Sequence, residues 1–120
     1  MRESVWWTVS IACALVMVLL LSLHMGIMHL AGLLNALGLN LGDVRSFSAV
    51  VARGKNPVQM VVYVIFLAVA LYHGLYGLRG ILLEVTRSRR WEVTITGLLF
   101  LAGALAFVYG TYVTVKTFTG

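Results

Sequence analysis

The sequence predicts an all-α integral membrane protein with three transmembrane helices, and two observations lead there. First, 61% of its 120 residues are hydrophobic and only 11% are charged, against roughly a quarter charged in an ordinary soluble domain. Mean hydropathy is +0.97, and a chain this short cannot enclose so much apolar surface in one aqueous core. Second, the apolar residues gather into three stretches, about 5–37, 57–83 and 93–115. Each exceeds the ~20 residues that a helix needs to cross a hydrocarbon core of about 30 Å. Helices are required because a lipid-facing backbone must satisfy its own amides.

The first stretch is expected to be a retained span. Arg2 and Glu3 make a poor basic start for a secretory signal, the apolar run is too long, and no small-residue cleavage site follows. Trp6 and Trp7 suit an interfacial aromatic anchor. Between the first two spans, Asp43 is expected to cap a short surface helix with Val44, Phe47, Val50 and Val51 on its apolar face. Asn56–Pro57 marks the start of the second span, with proline at the first helical position. The segment TRSRRWE is the turn between the second and third.

The net charge of +5 would suggest nucleic acid in a soluble protein. Here the basic residues flank membrane spans, so they serve as orientation signals and a nucleic-acid partner is not expected. Arg2, Arg79, Arg87, Arg89 and Arg90 fall on one side, Arg45, Arg53, Lys55 and Lys116 on the other. The dense cluster at the second turn places the amino terminus inside. Cys13 lies within the first span and carries no information on disulfides.

Ionisable groups inside spans are costly and point to function. The spans hold His24, His29, His73 and Arg79, with Glu84 at the end of the second. On the segment LYHGLYGLRGILLE, His73, Gly77 and Glu84 point within roughly 40° of one another. That face carries an imidazole, then a gap, then a carboxylate. Two readings fit. In one, His73 is an axial haem ligand, Gly77 makes room for the porphyrin edge, and Arg79 pairs with a propionate. In the other, His73 hydrogen-bonds to a neighbouring helix, and Gly74, Gly77 and Gly80 permit close helix packing.

The stretch YHGLYGLRGILLE resembles the second-helix signature of the cytochrome b membrane-anchor subunits of succinate dehydrogenase and fumarate reductase (complex II). The matching positions are His73, Gly77, Arg79 and Glu84. The resemblance implies that residues 1–120 form a single membrane-anchor domain, part of a multi-helix haem-binding bundle with a second anchor subunit. It implies His73 as an axial ligand of haem b, and a quinone pocket near the inner end of the second helix. It also implies an iron–sulfur subunit and a flavoprotein subunit as partners, and a place in the cytoplasmic (inner) membrane. This chain departs from the family pattern in having Glu84 for an aspartate and Gly80 for a frequent histidine. No arginine stands near the small pair Cys13–Ala14, where Ser10 is the nearest hydroxyl.

His24, in LLSLHMG, also resembles the family's first-helix ligand. Counted along the helices, His24 lies about 27 Å from Trp6, whereas His73 lies near the inner end of the second span. At such different depths the two cannot share one iron. Two haems, or one, are then completed by ligands from the second anchor subunit. His29 lies about 140° around from His24 and is expected at the interface, hydrogen-bonded or solvated. The chain holds no nucleotide loop, cysteine cluster or nucleophile–base pair, so no catalytic residue is assigned. The expected role is a non-catalytic subunit, with quinone as the substrate of the whole complex. A haem-free structural anchor, or a small transporter or channel subunit using a membrane histidine, are the alternatives.

Overall fold

The computed structural model describes residues 2–120, which form four helices and no strand. They are α1 (Arg2–Ala36), α2 (Phe47–Gly54), α3 (Pro57–Val85) and α4 (Arg89–Thr119). Among the described residues, α1, α3 and α4 are the helices long and apolar enough to span a membrane. This is an integral membrane helical protein. Helix α1 starts three residues before the expected stretch and ends one short of it, α3 runs two residues longer, and α4 extends four residues at each end, taking in Arg89, Arg90 and Glu92. The second turn therefore shrinks to Thr86, Arg87 and Ser88.

Helix ends are set by identifiable residues. Asn56 caps α3 by accepting hydrogen bonds from the Val58 and Gln59 amides at 2.9 and 3.4 Å, with Pro57 in the first turn. At the end of α1, Gly38 has φ +96°, and the amides of Gly38 and Leu39 donate to the Asn35 and Leu34 carbonyls. This is a Schellman closure, which needs the left-handed conformation that glycine adopts freely. The Asn35 side chain then pins the following loop, donating to the Gly42 carbonyl and accepting from the Leu41 amide. The cap of α2 differs from expectation. Ser46, not Asp43, accepts from the Ala49 amide at 3.3 Å, while Asp43 accepts from the Arg45 amide at 3.0 Å. Asp43 lies one turn too early to reach the first helical amides, and organises the turn before the helix instead.

The three spans stand side by side with α3 in the middle. Helix α3 packs against α1 on one side and α4 on the other, while α1 and α4 do not touch. Overall dimensions of 59 × 31 × 23 Å reflect this flat row. Both packings are antiparallel: His73 meets Ser10 and Phe66 meets His24 on α1, while Leu75 meets Gly103 and Leu67 meets Gly110 on α4. The α3–α4 seam is close because two glycines stand opposite two leucines. A Cβ on Gly103 would come within 2.6 Å of Leu75, and one on Gly110 within 2.5 Å of Leu67. Gly103→Leu is therefore expected to destabilise the α3–α4 pair by about 1–3 kcal/mol through overpacking. Unfolding of the purified protein in mild detergent measures it.

Hardly anything is enclosed. Among the described residues only Ser10, Ala31 and Gly54 are buried. Leucines, valines and Phe100 stand exposed along all three spans, as expected where lipid or further helices are the surroundings.

Candidate functional site

The polar groups of α3 divide between its two neighbours. His73 turns to α1, where its Nδ1 lies 3.0 Å from the Ser10 carbonyl oxygen and 3.2 Å from the Ser10 hydroxyl. A carbonyl only accepts, so Nδ1 carries the ring proton and donates it. The proton is thereby placed on Nδ1, so in the singly protonated ring the lone pair stands on Nε2. Nε2 has no hydrogen-bond partner among the described residues. Ser10, 5% exposed, is wedged into this contact. A nearby tyrosine supports it, since the Tyr72 hydroxyl donates to the Trp6 carbonyl at 3.0 Å.

Gly74 and Gly77 lie beside His73 on α3, and a Cβ at either would meet nothing within 4 Å. The same holds at Gly80. These glycines therefore do not mediate packing between the described helices, which the helix-contact reading had assigned to them. They leave a strip of bare backbone facing open space. Glu84, farther along the His73 side of the helix, is exposed and has no partner among the described residues.

Arg79 points the other way, to α4. Its Nε donates to the Thr96 hydroxyl at 2.8 Å, and its Nη2 pairs with the Glu92 carboxylate at 3.4 Å. The arginine side chain is 23% exposed and that of Glu92 50%, so the pair sits at the rim of the spans. Arg79 and His73 thus lie on opposite sides of α3. To pair with a porphyrin carboxylate, as the sequence suggested, the guanidinium would have to leave Glu92. Thr96 and Glu92 were absent from the sequence reading. The signal available for them was the short turn, which folds the first turns of α4 back along the end of α3.

Arg79 and Thr96 close the end of an apolar groove between α3 and α4 that lies nearest the Thr86–Ser88 turn. Tyr72, Tyr76, Phe100 and Phe107 line it, and its volume is about 510 Å³. Tyr72 and Tyr76 are stacked with ring centroids 5.9 Å apart. An apolar slot with a few convergent polar groups is the usual form of a small-molecule site.

His24 is remote from these groups. Its ring lies against Phe66, with centroids 6.4 Å apart. His73 meets α1 at Ser10, about 21 Å along the helix from His24. The two imidazoles therefore stand at different levels, as expected. His29 is exposed beside Asn35 in the last turn of α1 and the loop residues Asn40, Asp43 and Arg45. The described residues bring no three His, Cys, Asp or Glu side chains together, so a metal at His73 or His24 would take its other ligands from outside this chain.

Residues 2–111 match the family described as succinate dehydrogenase/fumarate reductase transmembrane subunit. The chain belongs to that family. It is similar to a succinate dehydrogenase hydrophobic membrane anchor subunit of Archaeoglobus fulgidus, at 29% identity over 110 residues, 92% of this chain and 86% of that protein. No solved structure matches it. As a member of the transmembrane-subunit family it is a multi-pass membrane protein, and the polar groups on α3 are those of a membrane-anchor subunit.

Proposed function

We propose that this chain is a cytochrome b-type anchor of a succinate:quinone oxidoreductase, with His73 as an axial ligand of haem b. The observation that carries the reading is the Ser10–His73 hydrogen bond. A ligating histidine ordinarily donates its second ring N–H to a carbonyl or carboxylate, which fixes the tautomer and raises the basicity of the ligating nitrogen. The Ser10 carbonyl does this at 3.0 Å, leaving Nε2 as the donor atom. The open backbone at Gly74 and Gly77 lets a flat group approach α3 there. Both features fit a haem, which when bound supplies a one-electron carrier.

His24 is the ligand for a second haem at the other level, and its contact with Phe66 orients the ring. Because this chain offers one imidazole at each level, a second anchor subunit completes each set. The open sides of the flat α1–α3–α4 row are where that subunit packs. Arg79 binds quinone in the α3–α4 groove, its charge held in place by Glu92 and its Nε by Thr96. Glu84, exposed at the same end of α3 but on its His73 side, assists proton uptake from the water phase. The amino terminus and the Arg87–Arg90 cluster face the cytoplasm, where the iron–sulfur subunit docks and carries the flavoprotein subunit. The cytoplasmic membrane is the compartment.

The His73–Ser10 bond is also the helix contact expected of a haem-free anchor, so spectroscopy decides. The complex purified in mild detergent is expected to contain flavin and to show reduced haem b bands; a flavin-containing complex without them supports the haem-free anchor. Replacing buried Ser10 by leucine should shift or remove the haem signal, since the larger side chain displaces the imidazole it faces. An unaltered spectrum in Ser10→Leu would remove Ser10 from the positioning role.

A further inference from the structure

On the far side of the protein from Arg79, a second arginine is left without a partner. Arg53, on α2, has its Nε and Nη2 fully buried, and neither meets an acceptor among the described residues. These two nitrogens carry the parallel N–H bonds on one edge of the guanidinium, the edge that grips two oxygens of a single phosphate or carboxylate. Leaving such a charged edge buried and unmatched is expensive. A single-oxygen acceptor such as a quinone carbonyl would satisfy only half of it.

Arg53 lines a crevice of about 160 Å³ between α1, α2 and α3. Gln59 and Tyr63 from the first turns of α3 add polar groups, and Leu20, Val62 and Phe66 make the inner wall apolar. The crevice exists because α2 packs against α3 and α4 but not against α1. Gly54, next to Arg53, fixes that packing: a Cβ there would come within 2.5 Å of Thr117 on α4. A volume of about 160 Å³ is below the roughly 300 Å³ of a typical cofactor site. It admits an anionic headgroup whose apolar remainder lies outside, along the helices.

Helix α2 supports a lipid origin for that group. Phe47 is 85% exposed and Val50 also projects freely, as on an amphipathic helix that lies in the membrane interface. Lys55 follows immediately and Arg45 precedes it, so the surroundings favour an anion. We infer that the Arg53 crevice binds the phosphate of an anionic phospholipid, with its acyl chains lying on α1 and α3 beside Leu20 and Phe66. The site anchors the α2 segment against the spans. His24 also lines this crevice, so the site adjoins the second haem proposed at His24; it does not depend on the haem at His73 or on the quinone assignment.

The test uses the assembled complex in nanodiscs of phosphatidylcholine alone or of phosphatidylcholine mixed with phosphatidylglycerol. Phosphatidylglycerol is expected to raise the thermal midpoint of the wild-type complex, since a ligand of the native state stabilises it. Arg53→Gln should abolish that increment. Arg53→Lys, which keeps the charge and loses the two-pronged edge, should retain only part of it. Should Arg53→Gln fail to assemble, Arg53→Lys and Tyr63→Phe serve instead, and the wild-type lipid dependence still decides. Equal midpoints in both disc types, or an increment that survives in Arg53→Gln, overturns the proposal. If inorganic phosphate added to neutral discs reproduces the full increment, the lipid is overturned as the occupant.

Discussion

His73→Ala is expected to remove one haem b from the assembled complex, with complete loss of its reduced absorption band. Alanine supplies no nitrogen donor, and no other histidine of this chain stands at that level: His24 is about 21 Å along α1 from the Ser10 contact. Loss of the ligand should leave the anchor in the membrane. The spans are held by apolar length and by the glycine–leucine seam of α3 and α4, neither of which involves His73. The readout is therefore a spectrum of the variant complex at normal subunit stoichiometry. His24→Ala tests the second haem in the same way, and should spare the band lost in His73→Ala.

The second large effect is expected at Arg79. Removing it as Arg79→Leu deletes a charge-assisted hydrogen bond worth about 1.5–3 kcal/mol, so quinone reduction should fall by about ten- to a hundredfold. Succinate oxidation with a soluble artificial acceptor should be preserved, because that reaction bypasses the membrane subunit. Arg79→Lys should recover part of the activity, limited because one ammonium cannot serve Thr96, Glu92 and a quinone oxygen with the geometry of a guanidinium. Equal loss with both acceptors would mean that Arg79 supports assembly rather than quinone binding. Glu92→Gln should act more weakly and in the same direction, since it loosens the arginine without removing it.

The sequence made the membrane class and the three spans legible, because hydropathy over twenty residues is a direct consequence of bilayer thickness. The cap of α3 was legible too, since Asn56–Pro57 has few other uses. Asp43 misled because an aspartate before an apolar run is also a good turn former, and Ser46 stands one turn closer to the helix. The greater gap concerned pairs between helices. A helical wheel gives the direction of His73 relative to Gly77, but not which neighbour stands opposite. In the sequence Ser10 stands out only as the hydroxyl nearest Cys13–Ala14, whereas it is the partner of His73. The partners of Arg79, Glu92 and Thr96, follow only once the length of the turn is known. Arg53 had been counted only as an orientation charge. Its buried edge emerges from the packing of α2 against α3 and α4, which no local pattern encodes.

The whole assignment rests on which atom of one imidazole is left free to bind, and a density map of the assembled complex tests it most directly. The expected map shows His73 Nδ1 still bonded to the Ser10 carbonyl and Nε2 about 2 Å from iron, with a macrocycle edge over Gly74 or Gly77. A map in which Nε2 meets a side chain of a neighbouring helix or hydrocarbon, with no macrocycle at that level, would contradict it.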